Sequence, residues 1–115
     1  MSKHMQLTTK IKPYYKKGLA GVYPRFAYRL QFLDPEWLET EPSLFEIVGH
    51  FDRLLYKSEA DPPFRAILRQ HKDKLHNLYE RIEEQIADWH LAEADKRLYD
   101  IEDVFDDIEK ELGKI

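Results

Sequence analysis

Five histidines and 22 carboxylates, many of them three or four residues apart, are the side chains here with the chemistry to hold a metal ion. The local pairs are Glu46 with His50, Asp73 with His76, and His76 with Glu80. A carboxylate-bridged dinuclear site in a helical bundle needs about four carboxylates and two histidines, supplied by paired Glu-x-x-His motifs. That motif does not occur in the chain. Most of the acids fall beside the apolar stripes rather than in them, which is the pattern of solvated helix faces. No metal is therefore expected, and His71, which does fall within a stripe, reads as a partly buried structural histidine.

Nucleophilic chemistry has even less to work with. There is no cysteine, so a thiolate nucleophile, a thiolate zinc site and a disulfide framework are all excluded. The serines are Ser2, Ser43 and Ser58, and the last two sit at helix boundaries where capping accounts for them. Neither a Gly-x-Ser-x-Gly elbow nor a phosphate loop is present, and Lys17-Gly18 is only a fragment of the latter. A paired-carboxylate glycosidase site needs a cleft that a few helices without a long loop do not build. The sequence points away from an enzyme and implies no cofactor.

The group with the strongest functional signal is a basic, aromatic run at the front. Lys10, Lys12, Lys16, Lys17, Arg25 and Arg29 are interleaved with Tyr14, Tyr15, Tyr23 and Tyr28. Cations mixed with flat rings neutralise phosphates and stack bases, or dock onto an acidic protein surface. The first 33 residues carry seven Lys or Arg and no Asp or Glu; the rest carries 11 basic and 22 acidic side chains. A +7 segment is thus joined to a −11 body, for a net charge of −4. Three destinations are open to such a segment: the chain's own acidic body, another protein, or nucleic acid. Nucleic acid is the least favoured of these, because the acidic body repels a phosphate backbone that approaches broadly.

The elements that must position these residues follow from periodicity and punctuation. At 115 residues, 43% apolar and 13% aromatic, the chain suits one packed domain. It has no apolar run long enough to span a membrane and no secretory leader, so it reads as soluble and cytoplasmic. Met1–His4 fits a cloning scar ahead of Met5 and is set aside. Residues 5–33 are broken up by Pro13, Gly18, Gly21 and Pro24, which predicts a mostly irregular basic arm. Within it Phe26, Tyr28, Leu30 and Phe32 alternate like a strand, yet Pro24 ahead of Phe26, Leu30 and Leu33 fits a short helix better. Asp34-Pro35 caps and opens a helix over 35–39. Leu44, Ile47, Val48, Phe51, Leu54 and Leu55 mark one near 42–57, and Asp61-Pro62 starts the next.

From Pro63 to Gly113 there are 49 residues with neither Gly nor Pro. One stripe runs Phe64, Leu68, His71, Leu75, Leu78, Ile82, Ile86 and Trp89. A second runs Leu91, Ala94, Leu98, Ile101, Phe105, Ile108, Leu112 and Ile115 in strict three-four alternation. In a continuous helix of about 3.6 residues per turn the two stripes would lie on nearly opposite faces. Charge also changes along the stretch: Arg65, Arg69, Lys72 and His76 edge the first stripe, and Asp100, Asp103, Asp107 and Glu111 edge the second. A turn near His90 brings Arg69 level with Glu111, Lys72 with Asp107, and His76 with Asp103 or Val104. An antiparallel dimer of straight rods gives the same pairings and suits the lack of Gly or Pro at the turn, but such long helices are uncommon in small domains.

The expected fold is all-α: a small helical bundle with a long antiparallel hairpin, near 62–88 and 92–113, and an irregular basic N-terminal arm. The division is 1–33 for the arm and 34–115 for an acidic helical domain. The seam Leu91, Leu98, Ile101, Phe105, Ile108 and Leu112 has more apolar positions than one short helix covers, which predicts a homodimer through it. The expected function is a non-catalytic adaptor, assembly factor or regulatory subunit. It would bind an acidic surface of a larger protein through Lys10, Lys12, Tyr14, Tyr15, Lys16, Lys17, Tyr23, Arg25 and Arg29. The alternative is a small nucleic-acid-binding protein using the same arm. A third class is a small-ligand carrier with Tyr79, Trp89 and Phe105 around a pocket.

Overall fold

The computed structural model describes residues 18–115. Among them are seven α-helices, one 3-10 turn and no strand. The helices are α1 (Gly18–Val22), α2 (Pro24–Leu33), α3 (Pro35–Glu39), α4 (Leu44–Gly49), α5 (Phe51–Lys57), α6 (Pro62–Ala87) and α7 (Leu91–Leu112). Asp34 caps α3 through Trp37 N–H, as its place before Pro35 predicts. Ser43 and Glu46 close a reciprocal capping box at α4. The single helix expected over 42–57 is broken at His50. A Cβ on Gly49 would lie 3.0 Å from the Tyr79 ring, so glycine at the break is what lets α6 come close.

α6 and α7 form an antiparallel hairpin within one chain, and their contact is the most extensive in the fold. At about 1.5 Å per residue, the 26 residues of α6 span roughly 39 Å, which accounts for most of the 43 Å long axis. The turn uses no glycine. Trp89 takes the left-handed conformation instead, with φ of 61°, and its indole is 58% exposed. A non-glycine residue there costs about 1–2 kcal/mol. Trp89→Gly should therefore raise the unfolding free energy, by up to about 1 kcal/mol after glycine's own entropic cost. A later urea midpoint is the expected readout; an earlier one would mean that indole packing outweighs the backbone.

At the open end of the hairpin α2 lies against α7, and its Phe26 reaches Phe64 of α6. Phe26 of α2, Phe64 of α6 and Phe105 of α7 are all fully buried. Their rings meet edge-on, with centroids 5.7 Å apart for Phe26–Phe64 and 5.3 Å for Phe26–Phe105. Leu19, Tyr23, Ala27 and Leu30 join the same cluster. Residues 18–33 are thus largely helical, with Leu19, Tyr23, Phe26, Ala27 and Leu30 in the core, where a mostly irregular stretch was expected. The helical option for Phe26 to Leu33 holds because it turns Phe26, Ala27 and Leu30 together onto α7.

The seam is likewise satisfied inside the chain. Ile101, Phe105 and Ile108 are fully buried and Leu112 nearly so, Leu98 is partly buried, and only Leu91 at the turn is exposed. The expectation of a homodimer assumed that one short helix would have to cover these positions; the 26-residue α6 pairs with α7 along the hairpin instead, and α2 and α4 also contact α7. The charge register also differs from expectation. Glu111 is met by His71, Nε2 to Oε1 at 2.6 Å, and not by Arg69. His76 turns to Glu80 on its own helix at 3.5 Å, and Lys72 lines a cleft beside Asp52. Arg69 follows Leu68 by one residue, about 100° round the helix from a side chain that faces α7, and so projects to solvent.

Candidate partner-binding face

α2 has a buried side and an exposed side. Opposite Phe26 and Leu30, Tyr28 and Phe32 stand 59% and 71% exposed, four residues apart, with their rings edge-on at 4.9 Å. Two large aromatics exposed side by side on one short helix are unusual where that helix's other face is fully occupied. The sequence held the signal: once Phe26, Leu30 and Leu33 define the inner face, Tyr28 and Phe32 fall outside it.

The cations of α2 are placed by the acidic body. Arg29 lays one guanidinium nitrogen between both oxygens of Asp61, at 2.8 and 2.7 Å, tying α2 to the start of α6. Arg25 approaches Glu109 at 3.6 Å with its side chain 57% exposed. Glu109 also accepts from the backbone N–H groups of Arg25 and Phe26, at 2.9 and 3.1 Å. Tyr23, which precedes α2, offers no side-chain cap, so a carboxylate from α7 caps this helix from across the fold.

Of the residues expected to bind a partner, Tyr23 is 3% exposed. Its ring lies 5.9 Å from Phe105 and its hydroxyl donates to the Glu102 carbonyl at 3.4 Å, so it is a core residue. Arg25 and Arg29 flank the exposed aromatics, with their charges shared with Glu109 and Asp61. Lys10, Lys12, Tyr14, Tyr15, Lys16 and Lys17 lie outside the described residues.

A surface groove of about 420 Å³ runs between α2 and the end of α7, with Tyr28, Arg25, Arg29, Leu112 and Ile115 among its walls. A second, smaller cleft of about 160 Å³ sits at the α4–α5 break, bordered by Asp52, Lys72, His76 and Tyr79. The Tyr79 ring stacks on Phe45 at 4.5 Å, and burial and then Glu83 push its hydroxyl up. Tyr79, Trp89 and Phe105 do not converge: one borders the small cleft, one is exposed at the turn and one is sealed in the core. This separates the three side chains on which the ligand-carrier expectation rested. Among the described residues no three His, Cys, Asp or Glu come together as metal ligands, and no helix is long and apolar enough to cross a membrane.

The far side of α7 is strongly acidic. Glu102 has its carboxyl pushed up from 4.5, first by partial burial and then by Asp106, Asp103 and Asp95. A raised carboxyl favours its protonated form in the folded state. Stability is thus unaffected where both states are protonated and falls as pH rises from the unfolded value through the folded one. Glu102→Gln should melt later than the native protein at neutral pH and together with it at about pH 3. Added salt should narrow the gap by screening the neighbouring acids. Thermal melts across pH check all three.

The chain matches no protein-family model, no curated protein and no solved structure.

Proposed function

We propose that this protein is a non-catalytic helical adaptor, assembly factor or regulatory subunit that binds an acidic surface of a larger protein through its basic N-terminal third. The observation that carries this reading is the exposed Tyr28–Phe32 pair, because it lies within the first 33 residues, which carry seven cations and no acids. Buried aromatic anchors with a charged surround are what protein interfaces are built from. Arg25 and the lysines that precede α1 in sequence supply that surround.

The test is co-purification with two altered chains. A deletion must stop at residue 17, since one reaching residue 24 would remove Leu19 and Tyr23 from the core. Loss of the same partner by the deletion and by the pair Tyr28→Ala and Phe32→Ala, with helicity intact in both, is the expected result. Retention of the partner by both altered chains would refute the proposal. The nucleic-acid alternative requires a complex with DNA or RNA at low salt that weakens steeply as salt rises.

A further inference from the structure

We infer that the groove between α2 and the end of α7 seats one apolar side chain from an acidic segment of the partner, beside a carboxylate that pairs with Arg25. The inference rests on the function proposed above and assigns the docking point. The groove has room for a large side chain, and its walls combine Tyr28, Leu112 and Ile115 with the two arginines of α2. Arg25 lies at its edge against Gly113: a Cβ there would stand 3.0 Å from the guanidinium Cζ. The acid paired with it among the described residues, Glu109, is 3.6 Å away and already accepts two backbone N–H groups. Arg25 therefore keeps donors free for a carboxylate.

Charge selects the occupant. Arg25 and Arg29 line the groove, and Lys114, exposed and with no ion pair among the described residues, stands in sequence between its wall residues Gly113 and Ile115, so the rim is cationic. A nucleic-acid strand longer than the groove would also meet the acidic body, whereas a short acidic segment need touch only the rim. An apolar residue flanked by Glu or Asp satisfies walls and rim together.

Three short fluorescein-labelled peptides test this against the full chain by fluorescence anisotropy: a phenylalanine between pairs of glutamates, the same peptide with alanine for phenylalanine, and the phenylalanine peptide with lysines for glutamates. The glutamate–phenylalanine peptide should bind about 10-fold or more tightly than either of the others. Tyr28→Ala should remove about 10-fold of that affinity, with an unchanged melting curve because the ring is exposed. Amide shifts should centre on Tyr28, Gly113 and Ile115. Equal binding of the phenylalanine and alanine peptides would overturn the groove assignment and leave the acidic-partner reading standing. Binding of neither acidic peptide, or preference for the lysine peptide, would overturn both.

Discussion

Phe105→Ala should lower the unfolding free energy by about 3–5 kcal/mol, the usual cost of removing a fully buried phenylalanine. Phe105 joins α7 to α2: its ring touches Phe26 of α2, and Tyr23 packs on it from just before that helix. Truncation leaves a cavity that α6 and α7 cannot close without separating from α2. Typical domain stabilities are only about 5–15 kcal/mol, so the variant should approach its unfolding transition in mild denaturant. Phe105→Leu, which keeps most of the volume, should cost under about 1.5 kcal/mol. The midpoint should not depend on protein concentration, because the seam is covered within the chain. A concentration-dependent midpoint would instead place Phe105 at an interface between copies. A loss below about 1 kcal/mol would show that the three rings are not packed together.

Glu109→Ala should cost about 2–3 kcal/mol, an effect out of proportion to a partly exposed acid on a helix surface. The carboxylate accepts from two amides in the first turn of α2 and sits at the positive end of that helix. Pro24 contributes no N–H and Tyr23 provides no cap, so nothing local replaces it. Glu109→Gln keeps one acceptor oxygen and should recover about half of the loss. Hydrogen exchange gives the specific readout: the amides of Arg25 and Phe26 should exchange faster in the alanine variant, while those in the middle of α6 keep their protection. Uniform acceleration would point to general destabilisation, and no change at either amide would remove Glu109 as the cap. Because α2 also carries Tyr28 and Phe32, its anchoring governs the proposed docking face as well.

The structure separates what local pattern encodes from what packing decides. The long helices were legible, because 49 residues without Gly or Pro and two stripes of helical period leave little else for the chain to do. The helix at Pro35 was legible from its capping acid and first-turn proline. The charge step at residue 33 was just as plain, but it is not a packing boundary. Charge composition records what faces solvent, whereas a domain limit depends on which apolar side chains share a core, and Leu19 to Leu30 share theirs with α7.

By itself the sequence determined an all-α fold, two long helical segments that meet near His90, and a cationic front joined to an acidic body; whether those segments pair within one chain or between two copies it left open. Only the tertiary structure decided that α2 completes the core and leaves Tyr28 and Phe32 outside. It also decided that Trp89 makes the turn and that Glu109 caps a helix more than 80 residues earlier in the chain. Helical period and capping are interactions between near neighbours, written in adjacent letters. Which carboxylate reaches which amide, and which face of a short amphipathic helix is covered, depend on contacts between residues far apart in the chain, whose geometry exists only once the hairpin has closed.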